Sequence, residues 1–456
     1  MVSAYEYARE HNDRFVSELS EWVSIPSIST DPGFSQEVRR AAAWLADDMR
    51  RIGLENVAIL ETGGHPVVYG DWLHAGSDKP TVLIYGHYDV QPAVMEDGWT
   101  HPPFEPLVRN ERLYARGASD DKGQVMVHIK AIEALLATGG CPVNVKYLIE
   151  GEEESGSANL QRFIENNRDL LAADICLISD TGIKSVDEPV LIYGLRGLMC
   201  MEVIVSGPRR DLHSGYGGNV HNPAQALCEI IAQLHDSEGR VTVPGFYDNV
   251  RAATAEERAQ LARAEDSDAD WEAVMGDLPV YGEPGYNRIE RRGIRPTLEI
   301  NGLASGYAGA GFKTVLPAKA IAKISCRLVP DQTPAEIYEK VSSYIRSITP
   351  PTVRLEMRQI DGGHPAITPI DHPATQAAVR AYARNWESEV LFARMGGSIP
   401  VVADFQKLMN LPVVLLGFAL PDSAAHGPDE NFHLGMYSKG ISTVIACLHE
   451  LAGISA

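Results

Sequence analysis

The chain has 456 residues, 45% of them hydrophobic and 22% charged, which is the balance of an ordinary globular protein, and its length suggests two domains. A formal net charge of −21 argues against nucleic acid or an anionic membrane as a partner, since both demand a basic face. The six cysteines are scattered with no Cys-x-x-Cys pair, and the charged stretch 1–14 carries no apolar signal-peptide core, so reduced thiols and a cytoplasmic location are expected. The longest apolar runs, such as 412–421, are too short to span a bilayer.

Residues 4–23 read as one amphipathic helix with Tyr5, Phe15, Leu19 and Trp22 as its apolar stripe, stopped by Ile25-Pro26-Ser27. A second helix is predicted over 36–52, closed by Gly53. From 67 to 176 strands alternate with helices: strands at 81–85, 143–149 and 174–178, helices at 124–137 and 158–166. This is the pattern of a layered α/β domain. After about Tyr193 the pattern changes. Strands are predicted at 199–206, 297–300, 320–328 and 353–358, helices at 222–234 and 334–348, and a charged, alanine-rich helical stretch at 251–276. A strand–helix–strand–strand–helix–strand order points to a ferredoxin-like α+β domain. From Pro373 the α/β character returns, with a helix to Trp386, a strand at 413–416 and a terminal helix at 437–451. The reading is an α/β domain in two parts, 1–194 and 365–456, interrupted by an inserted α+β domain, 195–364.

Chemistry-bearing residues follow the strand ends of the α/β parts. Gly86-His87-Tyr88-Asp89 follows the strand at 81–85, and Arg116 to Asp121 follows a short strand at 113–115. Glu150, Glu152, Glu153 and Glu154, four carboxylates within five residues, close the strand at 143–149. Ser179-Asp180 follows 174–178, and His426 lies in a loop after 413–416. Each has an ordinary explanation taken singly: a loop histidine, a helix N-cap at Asp120-Asp121, a solvated acidic turn. Those explanations do not predict a common placement, whereas open α/β sheets bind ligands at the carboxyl ends of their strands. Mixed imidazole and carboxylate donors suit Zn²⁺, with Mn²⁺ or Co²⁺ as alternatives. Five donors exceed one tetrahedral zinc and suit two ions about 3.5–4 Å apart sharing a carboxylate.

The segments YGHYDVQP (85–92), ARGASDDKGQ (115–124), EGEEESGS (150–157), DLHSGYGG (211–218), SCRLVPDQ (325–332), GGSIPV (396–401) and HGPDEN (426–431) resemble those of the M20 metallopeptidases, most nearly the branch of carnosine and cysteinyl-glycine dipeptidases. That resemblance implies a zinc-peptidase-like catalytic domain with an inserted ferredoxin-like lid that forms a homodimer. It implies that His87 and Asp180 bind one metal ion, Glu154 and His426 the other, and that Asp120 bridges both across a cis Asp120–Asp121 peptide. Glu153 is implied as general base and Asp89 as the hydrogen-bond partner of His87. His213 and Thr314 would come from the partner's lid, while Arg327 and Ser398 would bind substrate.

General chemistry is consistent with these roles. One of two adjacent glutamates is free for proton transfer if the other is the ligand. A donor such as His213 in a glycine-rich loop suits a tetrahedral oxyanion, and the planar fork of Arg327 suits a substrate carboxylate. The expected activity is hydrolysis of dipeptides or short peptides by a water that bridges the two ions. An aminoacylase-like or carboxypeptidase-like action on N-acyl amino acids or C-terminal residues is the alternative, and a non-catalytic binding protein of the same fold is a third reading. One departure bears on substrate: relatives of this branch carry His-Gly-Gly where this chain reads Asp361-Gly362-Gly363-His364, so neither Asp361, His364 nor His372 receives a role.

Overall fold

The computed structural model describes residues 2–454. They form two units: Met1–Tyr193 with Thr368–Phe392 and Asp404–Ala456, and Gly194–Ile367 with Ala393–Ala403. Ala393–Ala403 is a segment that sequence alone assigned to the closing part of the α/β domain.

In the first unit the strands lie in the order Glu55–Leu60, Val67–Trp72, Asn144–Glu150, Thr81–His87, Ile175–Ile178, Val413–Leu415, followed by Val190–Leu195, whose last two residues belong to the second unit. Asn144–Glu150, Thr81–His87, Ile175–Ile178 and Val413–Leu415 are parallel to one another, and the remaining strands run antiparallel to their neighbours. The parallel strands are short apolar runs because both of their faces are covered; every residue of Asn144–Glu150 is buried. Their register puts His87 beside Glu150, and Tyr85 beside Ile178, so their carboxyl ends share one edge. Helix Lys122–Thr138 is buried from 122 to 135 and touches strand Thr81–His87 and helix Leu434–Leu451. Its interior lysine, Lys130, is neutralised by Glu18 at 2.5 Å, Asp48 at 2.8 Å and Glu133 at 3.3 Å, as a buried cation requires.

Three expectations are corrected here. The helix predicted over 4–23 is two, Ala4–Glu10 and Asn12–Val23. His11 leaves the helical conformation, its ring turning back to the Tyr7 carbonyl at 2.9 Å and stacking on the Tyr7 ring at 4.0 Å. Tyr5 is exposed and drops out of the buried stripe of Phe15, Leu19 and Trp22. The short strand Arg112–Tyr114 is not in the main sheet. It pairs with Leu107–Arg109 and Asn431–His433 in a separate sheet, so Asp120 is delivered by the loop before helix Lys122–Thr138.

The second unit holds an antiparallel sheet in the order Thr297–Ser305, Lys319–Leu328, Gly197–Ser206, Arg354–Gly363. Numbered along the chain this is 2-3-1-4, the ferredoxin-like arrangement. Alternate residues Met199, Met201, Val203 and Val205 are buried in one apolar cluster with Ala226, Leu227 and Ile230 of helix Pro223–Ile231 and Ile337, Val341 and Ile345 of helix Pro334–Ile348. Both helices start as sequence rules demand, with Asn222 and Thr333 as side-chain N-caps and proline in the first turn. The stretch predicted as helical over 251–276 is broken into Ala255–Arg263 and Asp268–Met275. Among the described residues no helix is long and apolar enough to cross a membrane.

Candidate metal centre

The predicted donors of the first unit converge. His87 ends its strand fully buried, with Nε2 3.1 Å from Asp120 Oδ1. His426 Nε2 lies 2.9 Å from the other oxygen, Asp120 Oδ2, and 3.2 Å from Glu154 Oε2. Two donor groups result, His87–Asp120–Asp180 and Asp120–Glu154–His426, each with ligand atoms within 4.8 Å of one another. Asp120 is common to both and points one oxygen to each histidine. The Asp120–Asp121 peptide is cis.

The side chains behind these donors explain how loops hold them. Asp89 is fully buried and accepts from the main-chain N–H of Glu153 (3.2 Å) and of Glu154 (3.0 Å), and from the Ser29 hydroxyl (2.5 Å). His87 Nδ1 lies 3.1 Å from the Asp89 carbonyl and 3.4 Å from its carboxylate. Asp89 therefore fixes the glutamate loop as well as the imidazole, which sequence reasoning did not foresee. Gln91 donates to Glu154 Oε2 at 2.7 Å. Glu430 was quoted within HGPDEN but given no role. It is fully buried and accepts from Arg116 Nη1 (2.6 Å) and from the main-chain N–H groups of Gly117 (3.1 Å), Ser119 (2.9 Å) and Asp120 (2.9 Å). An acid next to the His426 loop with no ligand duty was the available signal.

Negative charge here exceeds what the protein's own cations balance. Burial, then the neighbouring Asp120 and Asp121 carboxylates, push Asp180 well above the usual carboxyl range. Burial pushes Glu153 up to about 7, with His87 opposing and Glu154 and Asp89 adding. Burial works against Asp120's charge too, but hydrogen bonds from His426 and His87 outweigh it and hold that carboxyl well below its ordinary range. Its hydrogen bonds to Asp120 and Glu154 push His426 up to about 10. A histidine drawn this strongly toward the charged state marks a place where the protein calls for a cation. Imidazole nitrogen and carboxylate oxygen in two groups of three, with a shared aspartate, are the donor chemistry for a pair of divalent ions. The residues present fit such a pair.

The remaining predicted residues lie in the second unit. His213 pairs with Val315 in a two-stranded ladder. The adjacent Ser214 N–H donates to the Thr314 carbonyl at 3.1 Å, so His213 and Thr314 are neighbours, both exposed. Arg327 Nη1 donates to Ser398 Oγ at 3.0 Å, which brings that predicted pair together. Asp361 is exposed on strand Arg354–Gly363. His372 caps helix Pro373–Tyr382 by accepting from the Ala374 N–H at 3.2 Å.

Parallel strands ending in imidazole and carboxylate donors, with the half-buried Glu153 beside them, define a metal-dependent hydrolase. Comparison with known proteins agrees. The peptidase family M20/M25/M40 matches residues 83–450. The chain is 35% identical to the Cys-Gly metallodipeptidase of Schizosaccharomyces pombe, over 99% of this chain and 98% of that protein. It is 33% identical to the human Beta-Ala-His dipeptidase, over 99% and 93%. In structure it resembles an M20 family metallo-carboxypeptidase from Sulfolobus solfataricus with a TM-score of 0.87 and 31% identity, covering 96% of this chain and 99% of that one. The chain belongs to peptidase family M20/M25/M40 and is a metallopeptidase.

Proposed function

We propose that the chain hydrolyses the peptide bond of dipeptides or short peptides, using two divalent ions, Zn²⁺ by preference, held by His87 and Asp180, by Glu154 and His426, and by the shared Asp120. The observation that carries this reading is the division of the Asp120 carboxylate between His87 and His426. Ions so held supply Lewis acidity toward the scissile carbonyl and make a water acidic enough to attack near neutral pH. Glu153 takes the proton of the attacking water and delivers it to the leaving amine. Burial raises its affinity for a proton, the direction required of a base that must hand the proton on. Asp89 keeps Glu153 in place through its main-chain N–H. In the second unit His213 donates to the developing oxyanion, and Arg327, with Ser398 and Thr314, receives the substrate carboxylate.

The second unit acts as a lid that also dimerises, and each chain lends His213 and Thr314 to its partner. Phe312, 92% exposed and two residues from Thr314, is a side chain that such an exchange would cover. A cytoplasmic location is supported by six cysteines that form no disulfide. The dipeptide preference follows the dipeptidases among the relatives. The likeness to the Sulfolobus carboxypeptidase favours a second reading, removal of C-terminal residues from longer or N-acylated substrates. Zinc-loaded protein and its Glu153→Gln variant assayed on Cys-Gly, β-Ala-His, N-acetyl amino acids and blocked tripeptides separate the two. Turnover confined to the last two groups replaces the dipeptidase reading, and full activity in Glu153→Gln removes Glu153 as base.

A further inference from the structure

Arginine is concentrated at one place in the second unit. A cleft of about 450 Å³ is lined by Arg196, Arg288, Arg291, Arg292 and Arg327 against the carboxylates of Glu299 and Asp266, on a chain whose net charge is −21. Two of these arginines are neutralised locally: Arg288 by Glu265 at 3.0 Å and Asp268 at 2.9 Å, and Arg292 by Asp266 at 3.2 Å. Arg291 is spent on the carbonyls of Glu283 and Tyr281. Arg196 is different. It is buried, and among the described residues its hydrogen-bond partners are two main-chain carbonyls, Gly396 at 3.0 Å and Arg295 at 3.2 Å, with no carboxylate. Burial, then the neighbouring Arg327, pull it down to about 10, with Glu299 opposing and Arg292 adding. The Trp271 indole N–H on the same cleft is buried with no partner among the described residues. A buried guanidinium without a carboxylate, beside two others on one cleft, is the mould of an anion.

We propose that this cleft is an anion subsite that takes a second negative charge of the substrate, selecting peptides whose C-terminal residue is aspartate or glutamate. The proposal rests on the peptidase reading above, in which Arg327 receives the C-terminal carboxylate. A ligand seated on Arg327 then finds Arg196 and the rim residue Arg292 lining the same cleft, and an acidic side chain brings the carboxylate that Arg196 lacks. Asparagine and glutamine have the same shape without the charge, so an amide in place of the acid isolates the electrostatic contribution.

The test compares kcat/KM for Gly-Glu and Gly-Gln in zinc-loaded wild type, Arg292→Gln and Arg196→Met, alongside calorimetric titration of each protein with glutarate. Arg292 is half-exposed, so its variant is informative even if Arg196→Met fails to fold. A charge-assisted pair contributes about tenfold or more in binding. Wild type should prefer Gly-Glu by about that factor, and the variants should lose most of the preference together with glutarate affinity. Equal kcat/KM for the two dipeptides in wild type, or a preference unchanged in Arg292→Gln, overturns the subsite. Failure of either dipeptide to turn over while glutarate binding still depends on Arg292 rejects the peptidase reading and keeps the anion site. Absence of glutarate binding in wild type rejects the anion site itself.

Discussion

Replacing Asp89 by asparagine probes how the catalytic loop is held before any ion binds. The wild-type carboxylate accepts the amides of Glu153 and Glu154 on separate oxygens, Oδ1 at 3.2 Å and Oδ2 at 3.0 Å. A carboxamide offers one oxygen, so one amide keeps a neutral acceptor while the other meets an NH₂ group. A hydrogen bond to a charged group contributes about 1.5–3 kcal/mol and a neutral one about 0.5–1.5 kcal/mol. The first amide therefore loses about 1 kcal/mol, and the second about 1.5–3 kcal/mol. At about 1.4 kcal/mol per tenfold, local opening accelerates roughly five-fold at one amide and about 10- to 150-fold at the other. Amide hydrogen exchange at Glu153 and Glu154 in chelator-treated protein reads this directly, and the predicted signature is asymmetric. Ser29→Ala serves as control, because it removes a donor to Asp89 and leaves both amide bonds in place. Exchange at both amides within twofold of wild type in Asp89→Asn would show that the loop is held by something else.

Asp120→Ala should reduce bound zinc from near two equivalents to less than one, measured by elemental analysis after desalting; retention of two tightly held ions refutes the shared ligand. His128, whose Nε2 lies 2.7 Å from the Ser179 hydroxyl, is held by burial down to about 3. Its unfolded form binds a proton from about pH 6.5 downward, so the folded protein loses stability as pH falls below 6.5, by about 1.4 kcal/mol per unit down to pH 3. Urea unfolding of His128→Phe should lack that slope, and an unchanged slope assigns it to other groups. Mixing the inactive Glu153→Gln and His213→Ala chains should restore activity, because a mixed dimer holds one site with both groups intact. Subunit exchange without regained activity places His213 outside the partner's site.

The convergence of the proposed donors was legible because each sits within a few residues of a strong local signal. His87 and Glu154 follow apolar strands whose burial on both faces leaves an uninterrupted hydrophobic run. Asp120 was placed at the sheet edge for a partly wrong reason. Its preceding strand is real but belongs to another sheet, and what positions the residue is the start of helix Lys122–Thr138. Pairing partners of a three-residue strand leave no trace in periodicity. The dual role of Asp89 and the role of Glu430 were hidden for a related reason. Glu430 accepts amides more than 300 residues away in sequence, and no spacing rule reaches that far. The helix break at His11 escaped because a histidine that folds back on Tyr7 looks, in sequence, like any polar helix residue.

Asp89 and Glu430 together account for how so many carboxylates share one edge of a sheet. Neither is a proposed ligand, yet each accepts main-chain N–H groups from a loop that carries one: Asp89 from the Glu153–Glu154 loop, Glu430 from the loop ending in Asp120. Burial still pushes Glu430 above the ordinary carboxyl range, even with Arg116 at 2.6 Å. Its benefit is therefore geometric, not a gain in charge energy, in keeping with the usual balance for buried ion pairs. Loops anchored this way keep their donors aimed through the protein's own hydrogen bonds. Removing a proposed donor such as Glu154 should then cost an ion and leave the loop ordered. Removing Asp89 or Glu430 first disorders the loop, and affinity for the ions falls as a consequence.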